Sequence, residues 1–381
     1  MRAADGTATR YALNGAVRIA YEDVGGAGGD PLLLVMGLGA SRFWWPRGLT
    51  TTLISRNFHV VTFDLRDGGE STHLDSAGGG NPIAAQFHRA STAYTAEDMA
   101  DDAIAVLNAV GWDSAHVYGH SLGGVLAQRI ALRHPGRVRS LTSSAALPSD
   151  ATDARALRYV RPSFLARMAR MRFPAGRDGD IALGLAVYRA LASPGYPLDE
   201  ALARECIDRD LTHGGPSFRD ASAQTRQSTA RWHGGRLRDL RVPALVLHGE
   251  DDQVLRPAAA RRTAAAIEGA RLRIFPGLGH FLPGELWPTF ADEIRALADQ
   301  AAQPPAGGHG TSVARAQLGA GSAGSAGVTR PCPVAASNAC ATLSSGQSPR
   351  RRPTSCSPTG SPSAVNPAGT EIAGSPVAEI R

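Results

Sequence analysis

The 381-residue sequence predicts an α/β fold, with a mainly parallel sheet covered by helices on both faces and one helical insertion. Three observations lead there. Strand-like and helix-like segments alternate from Val17 to about Ala302, the order that lays strands side by side in a parallel sheet. Several strand candidates are short continuous apolar runs without polar alternation, as burial on both faces requires. From Pro148 to about Asp239 the alternation stops, and helical patterns run on without a convincing buried strand.

Val17–Asp23 reads as a strand followed by the Gly-rich turn Gly25 to Gly29. Pro31–Met36 and Phe58–Phe63 are buried-strand runs, the second ending at Asp64. Trp44 and Trp45 open a helix, one packing on the core and the other facing a pocket. Thr95 to Val110 carries apolar residues at helical spacing (Met99, Ala103, Val106, Leu107, Val110). Thr95 is placed to cap that helix, and Asp98 three residues on completes a capping box. Ala115–Tyr118 is a strand, Leu122–His134 a helix stopped by Pro135-Gly136, and Val138–Ser143 a strand. After the insertion come strand Ala244–His248, helix Ala258–Ile267, strand Leu272–Phe275 and a helix from about Trp287 to Ala301. Residues 1–147 and 240–302 then form the core, and 148–239, broken by Pro162, Pro174, Pro194, Pro197 and Pro216, a helical cap. Residues 303–381 are rich in Ser, Gly, Ala and Pro without periodicity. Such a segment buries too little apolar area to offset chain entropy and is expected to be disordered.

Composition excludes several function classes. Hydrophobic content of 43% suffices for a sizeable core. The net charge of +6 would suit a polyanion partner, but six arginines against two glutamates place +4 of it beyond residue 302. The remaining +2 on the body gives no nucleic-acid footprint. All 40 cationic side chains are Arg, so the arginines that open the insertion (Arg155, Arg158, Arg161, Arg167, Arg170, Arg172) read first as a solvated helix face. Of four cysteines, Cys332, Cys340 and Cys356 lie in the tail, and Cys206 has no partner in the body. It reads as a small buried hydrophobe, which fits a reducing compartment. No metal-ligand spacing is present, and no cofactor or metal is expected. Neither a signal-peptide pattern nor a run of ~18 apolar residues is found, so a cytoplasmic chain without a membrane contact is expected.

The chemistry concentrates in Ala115-His-Val-Tyr-Gly-His-Ser-Leu-Gly-Gly124, where Gly119-x-Ser121-x-Gly123 sits between a strand and a helix. A nucleophile at the tip of so sharp a turn is held in a strained backbone conformation. Residues two positions away on either side must be small, so that strand and helix can approach. The helix N-terminus then points free N–H groups at developing negative charge. A serine hydroxyl needs an adjacent base, and a neutral imidazole oriented by a carboxylate supplies one. Both follow in chain order. Val246-Leu-His-Gly-Glu-Asp-Asp-Gln-Val254 ends a strand in carboxylates, with Asp251 and Asp252 both available. Phe275-Pro-Gly-Leu-Gly-His280 brings His280 in a Gly-flanked loop after the last strand. His248 lies within a buried strand, His120 points under the elbow, and His116 packs or reaches solvent.

These segments, together with Leu33-Leu-Val-Met-Gly37, Phe63-Asp-Leu-Arg-Asp67 with Gly69 and Ser71, and Tyr94-Thr-Ala-Glu-Asp-Met-Ala-Asp-Asp102, make the chain resemble the α/β-hydrolase superfamily from Tyr21 to Ala302. The resemblance implies a serine hydrolase of the α/β-hydrolase fold with a triad of Ser121, Asp252 and His280. Its usual Gly-x-x-Asp, counted from Gly249, selects Asp252 over Asp251. No acid follows Val138–Ser143, the other common acid position. The resemblance also implies oxyanion donors at the backbone of Leu122 and Leu38, although Met36 stands where the family usually has His. The Val-Met-Gly variant with Arg-Asp-x-Gly-x-Ser is similar to the aclacinomycin methylesterase-like group, which implies a small-molecule ester substrate such as a methyl ester of a polyketide-type compound. A thioesterase, a C–C bond hydrolase and a catalytically weak ligand-binding protein are the alternatives on the same scaffold. Dehalogenases and epoxide hydrolases carry Asp where this chain has Ser121. The Arg66-Asp67 pair is expected to knit loops beneath the site. Composition further implies that deleting Gln303 to Arg381 leaves melting temperature and kcat unchanged; a fall of several degrees would show instead that the tail docks on the body.

Overall fold

In the computed structural model, which describes residues 8–74, 93–151, 154–214 and 217–303, eight strands pair into one sheet. They are β1 (Arg10–Asn14), β2 (Val17–Gly25), β3 (Asp30–Val35), β4 (Phe58–Phe63), β5 (Ala115–His120), β6 (Val138–Ser144), β7 (Ala244–Gly249) and β8 (Arg271–Phe275). Their order across the sheet is β1-β2-β4-β3-β5-β6-β7-β8. β1 and β2 run antiparallel to their neighbours, and the remaining pairings are parallel. The chain divides into the units Met1–Gly310 and Thr311–Arg381. All described residues belong to the first, so the expected disorder of the tail lies, past Gln303, outside them.

Side-chain alternation sends the central strands' residues to two faces. Leu33 and Val35 join a core with Val117, Leu141 and the helices α2 (Ala96–Val110) and α3 (Leu122–Arg133). Leu32, Leu34 and Tyr118 face the other way, against α1 (Arg47–Ser55) and the final helix, α10 (Trp287–Ala302). Both layers being covered, the Leu32–Val35 stretch of β3 can be apolar throughout, and β5 is buried along its whole length. The capping box on α2 forms as expected. Thr95 accepts from the Asp98 N–H at 3.2 Å, Asp98 accepts from the Thr95 N–H at 2.7 Å, and Gly111 ends the helix at φ 82°.

Between β6 and β7 the chain forms α4 (Ala154–Leu157), α5 (Pro162–Arg170), α6 (Arg177–Leu191), α7 (Glu200–Thr212) and α8 (Ala221–Thr229), and then returns to the sheet; α9 (Ala258–Ala266) follows β7. Two local details differ from the sequence expectation. β1 was not anticipated, because Tyr11 and Leu13 point outward and Ala12 inward, the reverse of an amphipathic strand's usual signal. The helix placed at Trp44 starts later: Arg42–Trp44 is a 3₁₀ turn capped by Ser41, and Pro46 then precedes α1.

The topology fixes where a site can lie. β4 and β5 flank β3, so the connections after β3 and β5 leave in opposite directions. A crevice opens at the carboxyl ends of such strands. The loop after β3 is Met36-Gly37-Leu38, and Ser121 follows β5 directly.

Candidate active site

Ser121 has φ 57° and ψ −122°, a region that L-residues rarely enter. The surrounding contacts force the conformation. Its N–H donates to the Ser144 carbonyl at 2.9 Å, and its own carbonyl accepts from Gly124 at 2.9 Å and Val125 at 3.2 Å, starting α3. A Cβ on Gly119 would collide with the Gly123 carbonyl, and one on Gly123 with the Val35 carbonyl. A Cβ on Gly124 would come within 2.7 Å of the Ala146 side chain. The glycines thus let β3, β5 and α3 converge on one point, the physical content of the Gly-x-Ser-x-Gly pattern.

The other two residues singled out in the sequence meet Ser121 there. His280 Nε2 is 3.0 Å from Ser121 Oγ, and His280 Nδ1 is 2.7 Å from Asp252 Oδ2. Asp252 is fully buried, and its Oδ1 accepts the N–H groups of Val254 and Leu255, each at 2.7 Å. Burial opposes its ionisation, but the His280 imidazole and these hydrogen bonds outweigh burial and hold the carboxyl below the usual carboxylate range. Asp251 is exposed, and its backbone N–H donates to the Leu278 carbonyl at 3.0 Å. Its side chain therefore lies apart from the Ser–His pair, and the structure brings Asp252 to the imidazole.

The other histidines separate cleanly. His116 packs in the core with Nδ1 2.7 Å from Ser140 Oγ, and burial lowers its pKa to about 4. His120 lies under the elbow, Nε2 3.1 Å from the His280 carbonyl oxygen, and burial together with His280 pushes its pKa down to about 3. His248 was read only as a strand residue. Its Nε2 in fact lies 3.3 Å from Asp252 Oδ2, and burial lowers its pKa too. Its position four residues before Asp252 was the available signal.

The loop after β3 lies against Ser121: a Cβ on Gly37 would sit 3.0 Å from Ser121 Cβ and 3.6 Å from Oγ. Leu38 and Ser121 line the same cavity, and Leu122 begins α3. Among the described residues the backbone N–H groups of Leu38 and Leu122 donate to no protein acceptor. Met36 is buried beside them, so the departure from the family's His leaves an apolar residue at the loop's entry.

The cavity above Ser121 measures about 1000 Å³. Its walls come largely from the inserted helices and are mostly apolar, with Phe164, Met168, Leu183 and Val187 among them. Trp44 also faces it, stacked on Tyr188 with centroids 4.4 Å apart and edge-on to Phe218 at 4.7 Å. Trp45 turns the other way onto Tyr118, so the two tryptophans divide as expected. Arg66 grips Asp102 on α2 with two hydrogen bonds of 2.6 and 2.7 Å, and Asp67 is held by Arg226 of α8 at 2.8 and 3.0 Å. Both members therefore knit loops. Asp210 on α7 escaped the sequence analysis altogether. It is buried, accepts from Ser41 Oγ at 2.5 Å and from Trp44 Nε1 at 3.3 Å, and so ties α7 to the turn that carries Trp44.

Comparison with known proteins bears on family and fold. Residues 30–285 match the family model described as alpha/beta hydrolase fold. Rhodomycin D methylesterase DauP of Streptomyces sp. (strain C5) is 30% identical over 289 residues, covering 72% of this chain and 93% of that protein. A putative carbamate hydrolase, RutD of Variovorax paradoxus (strain S110), is 28% identical over 261 residues, covering 68% and 88%. An esterase structure from Rhodococcus sp. ECU1013 superposes with a TM-score of 0.58 at 23% identity, covering 77% of this chain and 99% of that one, a likeness of fold. No helix among the described residues is long and apolar enough to cross a membrane.

The Asp210 contact gives a pH prediction. Burial raises this carboxyl to about 6, although Ser41 and Trp44 pull it down. The folded state then binds the proton more tightly than an unfolded chain, whose Asp titrates near ~3.9. Stability from this group is fully present below the unfolded value and is lost as pH rises through about 6. Asp210→Asn removes that dependence. Urea unfolding of the two proteins should show the variant gaining on wild type between pH 4 and pH 7.5, by on the order of 2 kcal/mol. A difference that stays flat with pH would mean that Asp210 titrates normally.

Proposed function

We propose that this chain, which belongs to the α/β hydrolase fold family, hydrolyses a carboxylic ester through an acyl-enzyme formed on Ser121. The observation that carries this reading is the hydrogen-bonded chain Ser121 Oγ, His280, Asp252, with links of 3.0 and 2.7 Å, at the floor of a largely apolar cavity. Ser121 Oγ attacks the ester carbonyl carbon while His280 Nε2 takes its proton. Asp252 holds the Nδ1–H tautomer and stabilises the imidazolium that forms. The N–H groups of Leu38 and Leu122 receive the developing oxyanion, helped by the N-terminus of α3. The alcohol leaves with the proton from His280. Water, activated by the same imidazole, then releases the acid and restores Ser121.

The substrate belongs to the small molecules, and its specificity to the inserted helices, which act as the cap. A cavity of about 1000 Å³ takes a bulky ligand, and its apolar walls reward burial over charge pairing. The likeness to a rhodomycin D methylesterase favours a methyl ester of a polyketide-type compound as the scissile group. Hydrolysis rates on matched methyl ester, larger-alkyl ester and thioester series test this preference; faster turnover of the thioesters would move the chain to the thioesterase class.

Two experiments test the mechanism. A fluorophosphonate probe should label the folded protein once, at Ser121, as read by mass spectrometry of the modified peptide; labelling at another residue, or none, removes the proposal. Asp252→Asn should lower kcat on an activated ester by about 10⁴-fold, the scale of the same change in a serine protease triad. Asp251→Asn, at an exposed turn, should cost less than about ten-fold. If the ranking reverses, Asp251 takes the orienting role and the acid loop rearranges in solution.

A further inference from the structure

The two loops that carry Asp252 and His280 dock on the inserted helical segment at separate points. The entry to α5 lies antiparallel to the acid loop: Val160 bridges Leu255, the Arg161 N–H donates to the Val254 carbonyl at 2.9 Å, and the Arg256 N–H to the Tyr159 carbonyl at 2.8 Å. Arg161 Nε then donates to the backbone carbonyl of Asp252 itself at 2.7 Å. The end of α6 holds the base loop in the same manner. The His280 N–H donates to the Leu191 carbonyl at 2.8 Å, and Ser193 Oγ donates to the Gly277 carbonyl at 2.6 Å.

We propose that Arg161 is a positioning residue for the triad acid, an inference that rests on the triad reading above. Three observations carry it. The Asp252 carboxylate is oriented by its own loop, through the N–H groups of Val254 and Leu255. Turning that loop therefore turns the carboxylate away from His280. Within the loop, the Asp252 N–H bond to Gly249 is long, 3.4 Å, so the shorter Arg161 bond is a firmer anchor at this residue. Among the described residues Arg161 forms no ion pair, so its guanidinium is not held elsewhere by a carboxylate. Arg161 is also absent from the cavity wall, although Val254, on the loop it holds, is part of that wall. Its loss should reach the chemistry through Asp252 and leave substrate contacts in place.

The test is a double-mutant cycle on one activated ester, measuring kcat and KM for wild type, Arg161→Ala, Arg161→Lys, Asp252→Asn and the Arg161→Ala/Asp252→Asn pair. Losing a hydrogen bond from a charged group should lower kcat by about 10- to 100-fold in Arg161→Ala, with KM within about two-fold. Lysine can donate to the same carbonyl, so Arg161→Lys should recover most of the rate. In the Asp252→Asn background the alanine change should add less than about three-fold, because the residue it positions is already disabled. Full multiplication of the two losses overturns the proposal, as does a rise in KM at constant kcat. If Arg161→Ala does not fold, Arg161→Met, which keeps the aliphatic stem, goes through the same cycle with the same criteria. Ser121→Ala separates this inference from its premise. An active Ser121→Ala removes the triad reading itself, whereas a wild-type-like Arg161→Ala beside an inactive Ser121→Ala removes only the role of Arg161.

Discussion

Ser121 is held at φ 57° and ψ −122°, and the rest of the site is arranged around keeping it there. A non-glycine residue in such a region costs on the order of 1–3 kcal/mol, and it persists only where its surroundings over-determine it. Here they do. Ser121 N–H is fixed to β6 through Ser144, its carbonyl begins α3, and α3 is pressed so close to β3 that Gly123 has no room for a Cβ beside the Val35 carbonyl. The same convergence brings the loop after β3 to the nucleophile, with Gly37 packed on Ser121 Cβ. The turn that strains the serine therefore also lies beside the β3 loop that puts Leu38 on the cavity wall. Relaxing the strain would move Ser121 away from His280 Nε2 and from the β3 loop together.

Around this turn the electrostatics depend on which imidazoles remain neutral. His120 and His248 both flank the Asp252–His280 pair, with His120's ring centroid 5.3 Å from that of His280 and His248 Nε2 3.3 Å from Asp252. Burial keeps both uncharged at neutral pH, His120 down to about 3. A protonated His120 would repel any positive charge on His280, and a protonated His248 would compete for the carboxylate. Neutral, His248 turns its Nε2–H to the Leu255 carbonyl at 3.4 Å and so makes no competing claim on the carboxylate. The deep burial of these two side chains thus reserves the Asp252 charge for His280.

The site was legible where its information is local. Gly119, Ser121 and Gly123 announce themselves within five residues, and Thr95 with Asp98 announces the start of α2, because each motif answers a steric or hydrogen-bonding need of its own backbone. The Asp251-Asp252 pair and His280 were legible because each lies in a short segment just beyond a strand, where α/β sheets place their ligands, and the family's Gly-x-x-Asp then selected Asp252. What stayed hidden depends on partners far along the chain. Ser41 and Asp210 are 169 residues apart, and Asp67 and Arg226 are 159 apart. Six arginines open the insertion with similar surroundings, and nothing in the sequence distinguishes Arg161, which reaches across 91 residues to the Asp252 carbonyl. The helix expected from Trp44 illustrates a smaller failure. The two tryptophans were taken to open it, but Trp44 ends a 3₁₀ turn and the extended Pro46 stands between it and the helix.

The long-range ties have a common chemistry that explains why they sit where they do. Arg42 pairs with Asp64 and Glu70, Arg66 with Asp102, and Arg226 with Asp67, each within or beside the loops that leave β3 and β4. Burying such pairs yields little net stability, because desolvation consumes most of the Coulombic gain. Burial in fact raises the carboxyls of Asp64 and Asp102 despite their arginine partners. Direction is what the pairs supply. An apolar contact tolerates sliding, whereas a guanidinium on a carboxylate fixes angle and register. Asp64 shows the effect most fully: its carboxylate also accepts the backbone N–H groups of Arg42 at 2.6 Å and Glu70 at 2.8 Å, locking two loops to one strand end. The sheet interior, apolar and continuous, can be stable without such devices. The loops at its carboxyl edge must set Gly37, Leu38 and Trp44 in the cavity wall, and there the molecule uses charge for geometry and leaves the cavity itself mostly apolar.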